Sequence, residues 1–166
     1  MRPLHPLRWL FGPMMIALLA TWALTVPVRV FGLQLPEPVW PLAPLFAWAV
    51  IRPSMLAPFA VLLMGLALDI LWGGPLGLWA LSLLVAYAAI FAARTGLVGQ
   101  SRPIMWAWYA FACGLGMGMA WLIGLMDTGA QPQAVGVFWQ FLATLLIYPY
   151  ADYLIERFED ADVRFR

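Results

Sequence analysis

Two aspartates, Asp69 and Asp127, are the residues of this sequence best suited to chemistry. Each lies close to one end of a long apolar segment, and both fall on the same predicted side of a membrane. Two neighbouring carboxylates can divide the acid and base roles of a hydrolysis reaction. Asp127 is followed by Thr128 and Gly129 just past the apolar run, and this triplet has no second copy in the sequence. We therefore expect a loop turn there and no catalytic pair.

The other reactive residue types are too few for a metal site or a disulfide. The chain has one histidine, His5, and one cysteine, Cys113, so neither a multi-histidine metal site nor an internal disulfide is expected. Nine basic residues, all arginine, face eight acidic residues, and the net charge of +1 leaves no basic excess to neutralise a run of phosphates. We expect no metal, no cofactor and no nucleic-acid partner.

The composition is that of an integral membrane protein. Apolar residues make up 64% of the sequence and charged residues 10%, whereas a soluble domain has about 45–50% and 25%. The apolar residues fall into long runs, which predicts an all-α fold: a compact bundle of about six transmembrane helices that forms a single domain over residues 1–166. The predicted spans are 9–28, 39–51, 54–72, 76–93, 104–126 and 134–150, with a tail at 151–166.

The second predicted span, 39–51, is short and interrupted by proline. As a helix it reaches only about 20 Å, less than a hydrocarbon core of about 30 Å. Extended back to residue 33 it would have 19 residues, but these would include Pro36, Glu37, Pro38, Pro41 and Pro44. A partly non-helical or re-entrant segment is tolerated only where protein covers its backbone. The sequence leaves open whether this segment crosses the membrane.

The arginines predict the orientation, because short cytoplasmic loops carry positive charge. With six crossings, Arg29 is the one arginine on the outer side. The arginines on the inner side are Arg2, Arg8, Arg52, Arg94, Arg102, Arg157, Arg164 and Arg166. Both termini are therefore predicted to be cytoplasmic. If the second segment does not cross, the N-terminus lies outside and the C-terminus stays inside.

Asp69 lies on a stripe of small residues in the third predicted span. Gly65, Asp69 and Gly73 are spaced four apart, so they share one helix face, which we expect to pack against protein. A carboxylate near the end of a span needs a partner. Our first hypothesis is that it accepts hydrogen bonds from backbone N–H groups of the turn from Gly73 to Gly77, where glycines permit a tight reversal and Pro75 suits the start of the next helix. The alternatives are the sole outer arginine, or a partner chain or ligand.

The fifth predicted span has two rows of small residues. The first row is Ala112, Gly116, Ala120 and Gly124, and the second is Ala110, Gly114 and Gly118. This spacing allows two helix backbones to approach closely. We expect the neighbour to be a helix of the same chain, and a second subunit, which would make a homo-oligomer, is the alternative. Cys113, between the rows, is predicted to be a small buried apolar residue.

The tail mixes apolar and charged residues at helical spacing from Tyr150 to Asp160. We expect it to continue the sixth helix into the cytoplasm as a solvated helix end. Docking of a cytoplasmic partner on its charged amphipathic face is the alternative.

The block from Pro44 to Ala93 resembles the rod shape-determining membrane protein MreD. The resemblance rests on the run from Trp48 to Pro53, then on the stripe with Asp69, and then on Pro75-Leu76-Gly77 and Ala80-Leu81. Chain length, the six-span layout and the near absence of loops agree over the rest. The candidate structural or interface residues in this block are Arg52, Pro53, Gly65, Asp69, Gly73, Gly74, Pro75 and Gly77. From the fifth span we add Gly116, Ala120 and Gly124.

The resemblance implies a non-enzymatic scaffold of the cell-elongation machinery in the bacterial inner membrane, which helps maintain rod shape. It implies association with the periplasmic single-span scaffold MreC. Directly or through other proteins, it also implies a link to the MreB filament and to peptidoglycan synthesis by RodA and its transpeptidase. The MreD family is similar in fold to the vitamin-capture subunits of energy-coupling-factor transporters, which are the main alternative.

Two other function classes fit the sequence less well. An intramembrane aspartyl hydrolase such as lipoprotein signal peptidase has four spans and asparagine-containing motifs, whereas this sequence has no asparagine. A vitamin-capture subunit needs an outer pocket with convergent polar groups. The predicted outer polar set is sparse: Glu37, Asp69, Asp127, Thr128, Gln131 and Gln133. We therefore favour the scaffold.

Overall fold

The computed structural model describes residues 6–24, 29–30, 33–34, 37–51, 54–97, 99–128 and 134–163. The elements are α1 (Pro6–Leu24), β1 (Arg29–Val30), β2 (Leu33–Gln34), α2 (Leu42–Ile51), α3 (Ala57–Trp72), α4 (Leu78–Ala93), α5 (Arg102–Thr128), α6 (Ala134–Leu145) and α7 (Tyr148–Val163). The predicted helical fold is confirmed for these residues. The antiparallel pairing of β1 with β2, two residues each, was not predicted.

Within the described part of the chain, three helical runs are long and apolar enough to cross a membrane: Leu78–Gly96, Arg102–Asp127 and Ala134–Arg157. The apolar parts of α1, α2 and α3 are shorter. Each of the first five predicted spans overlaps one helix, and the three long runs are consistent with a membrane protein. The crossing of all six stays a prediction.

The short helix α2 is enclosed by the rest of the bundle. Every residue from Leu42 to Val50 is buried, and α1, α3, α4, α5 and α7 contact this helix. Its ten residues extend only about 15 Å. The prediction of a proline-interrupted span is corrected, because Pro41 precedes the helix and Pro44 lies in its first turn, where a missing N–H removes no helical hydrogen bond. Enclosure by protein is the condition under which so short a segment is tolerated in lipid.

The helices α3 and α4 form a hairpin whose backbones approach closely at Gly65. A Cβ atom built on this glycine would lie 2.8 Å from the carbonyl carbon of Trp79 and closer still to the backbone of Ala80. Real Cβ atoms essentially never come so near to backbone atoms, so glycine alone fits without a shift of α4. The close helix contact expected from a small residue at position 65 is therefore present.

The first row of small residues in α5 faces the protein interior. Three members of the row are buried: Ala112, Gly116 and Ala120. A Cβ atom on Gly116 would lie 3.4 Å from Cδ2 of Leu42 and 3.5 Å from Cβ of Ala86. The row thus packs against α2 and α4 of the same chain. The second row is more open, since a Cβ atom on Gly118 would meet nothing within 4 Å.

The sixth predicted span is divided between α6 and α7, which corrects the prediction of one continuous helix. The helix α6 ends at Leu145, α7 begins at Tyr148, and Pro149 is the second residue of α7. Because proline has no N–H, the carbonyl of Leu145 lacks the donor that a continuous helix would supply. The break is the local consequence.

The first part of the tail packs inside the bundle instead of extending into solvent. The helix α7 lies against α2. The buried residues at its start are Ile147, Tyr148, Ala151, Leu154 and Ile155. Their spacing forms one apolar helix face, so the expected solvated helix end is wrong for Ala151, Leu154 and Ile155, whereas Tyr153 and Glu156 are exposed.

Gly65→Ala is expected to destabilise the protein, because the added methyl group has no room against α4. Overpacking of this kind costs about 1–3 kcal/mol. Gly118→Ala makes the same change in open space, so we expect an unchanged or higher stability, since alanine is the better helix former. Thermal unfolding of both variants in detergent micelles, followed by tryptophan fluorescence, measures the difference. Equal midpoints for the two variants would contradict the close α3–α4 contact.

Candidate functional site

The backbone of Asp69 closes the end of α3. This residue lies in the last turn of the helix and is almost completely buried, with 1% of its surface exposed. Its carbonyl oxygen accepts a hydrogen bond from the N–H of Gly73 and another, at 3.1 Å, from the N–H of Gly74. Gly73 has a φ of 65°, a left-handed conformation that glycine adopts without strain. The last turn of α3 therefore ends in a glycine cap.

The side chain of Asp69 caps the start of α4. Its Oδ2 accepts from the N–H of Gly77 and its Oδ1 accepts from the N–H of Trp79, both at 2.8 Å. The first N–H groups of a helix have no partner within the helix, and a negative charge beside them is favoured by the helix dipole. One residue thus joins the end of α3 to the beginning of α4. The hypothesis that Asp69 binds backbone N–H groups of the turn is confirmed for Gly77.

The turn between the two helices favours glycine at its third position. The N–H of Leu78 donates to the carbonyl of Pro75 at 3.2 Å, which closes a four-residue turn. Gly77 is its third residue and has φ 103° and ψ −12°. A positive φ at this turn position favours glycine, which has no Cβ atom. This conformation directs the N–H of Gly77 toward the carboxylate of Asp69.

Two details of the predicted stripe are corrected. Gly73 is exposed, and a Cβ atom on it would meet nothing within 4 Å, so it does not pack against protein as Gly65 does. Its role is the left-handed cap. Pro75 does not begin α4, because that helix starts at Leu78 and Pro75 opens the preceding turn.

Two aromatic side chains flank the cap. The rings of Trp72, at the end of α3, and Trp79, at the start of α4, meet edge to face with centroids 4.9 Å apart. Such pairs add about 0.5–1.5 kcal/mol beyond the area they bury. The hydrogen bonds of Asp69 and this ring contact therefore fix the same two helix ends.

Two candidate residues of the block, Arg52 and Pro53, lie outside the described residues. The side chain of Arg29 also lies outside them, so the alternative contact between Arg29 and Asp69 stays a hypothesis. Both oxygens of Asp69 already have a backbone donor at 2.8 Å. A buried carboxylate used in this way is suited to holding helices together and poorly suited to exchanging protons with a substrate.

Asp127 contributes no second carboxylate to a clustered site. It is exposed near the end of α5. Among the described residues, no group of three or more histidine, cysteine, aspartate and glutamate side chains is placed to hold a metal ion. The geometry around Asp69 is that of a structural site.

A charged cluster connects the start of α5 with α7. The Arg102 guanidinium hydrogen-bonds to Glu156, and its Nε lies 3.7 Å from Oδ2 of Asp152. The side chain of Arg102 is 74% exposed, and exposed ion pairs stabilise proteins by only about 0–1 kcal/mol. The cluster fixes the register of the two helices more than it contributes stability.

A third polar site, at Thr144, ties three parts of the fold together. Its Oγ1 donates to the carbonyl of Gln140 at 2.7 Å and accepts from the N–H of Val39 at 3.0 Å. Its carbonyl accepts from the hydroxyl of Tyr109 at 3.1 Å and from the N–H of Ile147 at 3.1 Å. The residue is completely buried. It connects α6 to α5 and to the segment that precedes α2.

The structure brings together only part of the predicted set. Gly65, Asp69, Gly73, Gly74, Pro75 and Gly77 form the α3–α4 connection, whereas Gly116, Ala120 and Gly124 line α5. The roles of Trp79, Thr144 and the Arg102 cluster were not predicted. For Thr144, the available signal was a hydroxyl residue in an apolar run shortly before Pro149. For the charged cluster, it was that Arg102 and the tail are predicted to lie on the same side. Comparison with family models, curated proteins and solved structures finds no match to this chain.

Asp69→Asn keeps the size of the side chain but is expected to lower the stability of the fold. The amide nitrogen that replaces one carboxylate oxygen cannot accept a hydrogen bond. One buried N–H group, of Gly77 or Trp79, is then left unpaired, which costs about 1–3 kcal/mol. Asp127→Asn makes the same change at an exposed residue and is expected to leave stability unchanged. Unfolding midpoints in micelles measure both effects. A normally stable Asp69→Asn protein that had lost an enzymatic turnover would require a catalytic interpretation instead.

Proposed function

We propose that this chain is a non-enzymatic membrane scaffold of the bacterial cell-elongation machinery, as its resemblance to MreD implies. The observation that supports the proposal is the structural role of the residues that carry the resemblance. The aspartate and glycines of this block connect α3 to α4, and both carboxylate oxygens of Asp69 accept hydrogen bonds from backbone N–H groups. A scaffold needs a fixed arrangement of helices and no reactive group.

The distribution of polar residues supports the same proposal. Charged residues are 10% of the chain, and the described helices leave little mass between them for a separate soluble lobe. Contact with other proteins would then use intramembrane faces and short loops. Large apolar side chains are exposed along α5 and α6, including Phe111, Leu122, Phe138 and Trp139. In a membrane such faces meet lipid or another helix.

The proposed partners are MreC and, directly or through other proteins, MreB and RodA with its transpeptidase. The proposed location is the bacterial inner membrane with both termini in the cytoplasm, as the arginines predict. The charged cluster supports this orientation, because it joins Arg102 to the tail residues Asp152 and Glu156, which the six-span layout puts on one side.

A vitamin-capture subunit is less well supported. A groove on α5 is lined by Pro103, Ile104, Ala107, Trp108 and Phe111. Its lining is apolar and has no convergent polar groups of the kind that fix a small ligand. Of the predicted outer polar set, Asp69 has both oxygens engaged in capping. The groove lies near the start of α5, on the predicted inner side of the membrane.

Copurification with MreC tests the scaffold. We expect the affinity-tagged chain, coexpressed with MreC of the same bacterium and solubilised in mild detergent, to retain MreC through size-exclusion chromatography. Asp69→Asn is expected to reduce the retained MreC together with the folded fraction, and Asp127→Asn to leave it unchanged. Deletion of the gene in the bacterium is expected to turn rods into rounder cells.

The outcomes separate the two candidate functions. Failure to retain MreC, together with normal rod shape after deletion, contradicts the scaffold. A stoichiometric small molecule released from the purified chain on denaturation, and identified by mass spectrometry, would favour the vitamin-capture subunit. Asp69→Asn serves as a folding reference in both experiments.

Reporter fusions test the proposed topology. With six crossings, a fluorescent protein fused after residue 166 is expected to be fluorescent in the cytoplasm, and alkaline phosphatase inserted at 129–133 is expected to be active in the periplasm. A second phosphatase insertion, at 31–32 between α1 and α2, reports on α2. With six crossings we expect it to be active together with a cytoplasmic N-terminal reporter, and without a crossing by α2 it would be inactive. A periplasmic N-terminus with the C-terminus inside would show that α2 does not cross.

A further inference from the structure

The two halves of the sixth predicted span are held by different neighbours. The helix α7 packs against α2 through a buried face, whereas α6 packs against α5. Thr144 is the buried residue of α6, one residue from its end. The rest of α6 is half-buried or exposed, with Val135 68% and Phe138 57% exposed. Packing therefore fixes α7 in the bundle and restrains α6 much less.

The backbone hydrogen bonding is irregular between residues 147 and 150, whereas Leu146 and Ala151 still donate four residues back, to Leu142 and Ile147. The N–H of Ile147 donates to the carbonyl of Thr144, three residues back, instead of the residue four back. Pro149 supplies no N–H at all, and the N–H of Tyr150 again reaches three residues back, to Ile147 at 2.9 Å. Breaks of this kind in membrane helices are tolerated when side chains of neighbouring helices satisfy the freed groups.

One side chain of α5 donates a hydrogen bond to a carbonyl beside the break. The hydroxyl of Tyr109 donates to the carbonyl of Thr144 at 3.1 Å, and Tyr109 itself is completely buried. Its ring contacts those of Phe46 in α2 and Tyr148 in α7, both with centroids 5.5 Å apart. Tyr109 is therefore anchored in the fixed part of the bundle and reaches across to the end of α6.

We propose that α6 is a movable half-helix that pivots about residues 146–147, and that the hydroxyl of Tyr109 is the latch that holds it in the position described here. Release of the latch leaves the hydrogen bonds of the Thr144 hydroxyl to Gln140 and Val39, so the base of α6 stays attached while its far end moves. The motion would separate Phe141 of α6 from α5, where a Cβ atom on Gly114 would lie 3.8 Å from the Phe141 ring. The inference does not depend on the proposed scaffold function.

Distances between spin labels on the full chain in lipid nanodiscs test the pivot. One pair joins Val135→Cys in α6 to Leu81→Cys in α4, and the second joins Tyr153→Cys in α7 to the same reference; all three native side chains are at least half exposed. Cys113 is completely buried and is kept, with label uptake by the parent chain as the check. Tyr109→Phe removes the latch hydroxyl and keeps the ring. Tyr148→Phe is the matched control, because its hydroxyl lies near Asp152 and Arg102 and makes no contact with the carbonyl of Thr144.

We expect Tyr109→Phe to broaden the 135–81 distance distribution about twofold, as a latched state gives way to several, and to leave the 153–81 distribution unchanged. Tyr148→Phe is expected to change neither. An unchanged 135–81 width in Tyr109→Phe overturns the latch, and equal broadening of both pairs overturns the pivot in favour of general loosening. Pro149→Ala restores the missing N–H and is expected to narrow the 135–81 distribution. If Tyr109→Phe does not fold, an unchanged width in Pro149→Ala overturns the pivot.

Discussion

The fold depends on satisfying backbone polar groups without water wherever a helix starts, ends or breaks. Regular helices meet this requirement internally, so the difficulty is confined to a few places. At the α3–α4 connection Asp69 meets it twice, with its carbonyl for the end of one helix and its carboxylate for the start of the next. Before α2, the hydroxyl of Thr144 accepts from Val39, and at the break after α6 the hydroxyl of Tyr109 donates to Thr144. These few side chains therefore decide where the chain can turn.

The magnitudes rank these contacts above the charged cluster. A hydrogen bond to an ionised group contributes about 1.5–3 kcal/mol, and loss of one partner of a buried group costs a similar amount. Asp69 makes two such bonds while 1% exposed. The ion pairs of Arg102 lie at the surface, where water screens them and they contribute little to stability. The hydrogen bonds of the buried Asp69 are therefore the stronger contacts. The exposed ion pairs of Arg102 mainly set the alignment of α5 with α7.

What the sequence predicted follows from local geometry. The four-residue spacing of Gly65 and Asp69, with glycines just beyond, was enough to place a carboxylate against the following turn. The second donor, Trp79, depends on how α4 is aligned with α3, which spacing within one helix does not determine. The role of Thr144 was not predicted for a related reason. The hydroxyl of a threonine in an apolar helix can donate its hydrogen bond to the carbonyl four residues back, as Thr144 does to Gln140. Its bonds to Val39 and Tyr109 join residues far apart in sequence, as does the pair of Arg102 and Glu156. The burial of Ala151, Leu154 and Ile155 was not predicted, because charged residues lie beside them in the sequence and their shared face packs against α2 only in the folded bundle.

The same contacts distinguish a part of the chain that several independent contacts hold in place from a part that few contacts hold. The α3–α4 hairpin is fixed by a glycine contact, by two caps on one aspartate and by a pair of tryptophan rings, so the loss of any one leaves the others in place. The helix α6 has no comparable redundancy among the described residues, because its packing is light and its end is held at Thr144. A protein whose rigid part already satisfies its own polar groups can bind a neighbour only through faces that are not needed for that purpose. Among the described residues, exposed apolar faces lie on α1, α3 and α4 as well as on α5 and α6, and of these helices α6 packs mainly against α5.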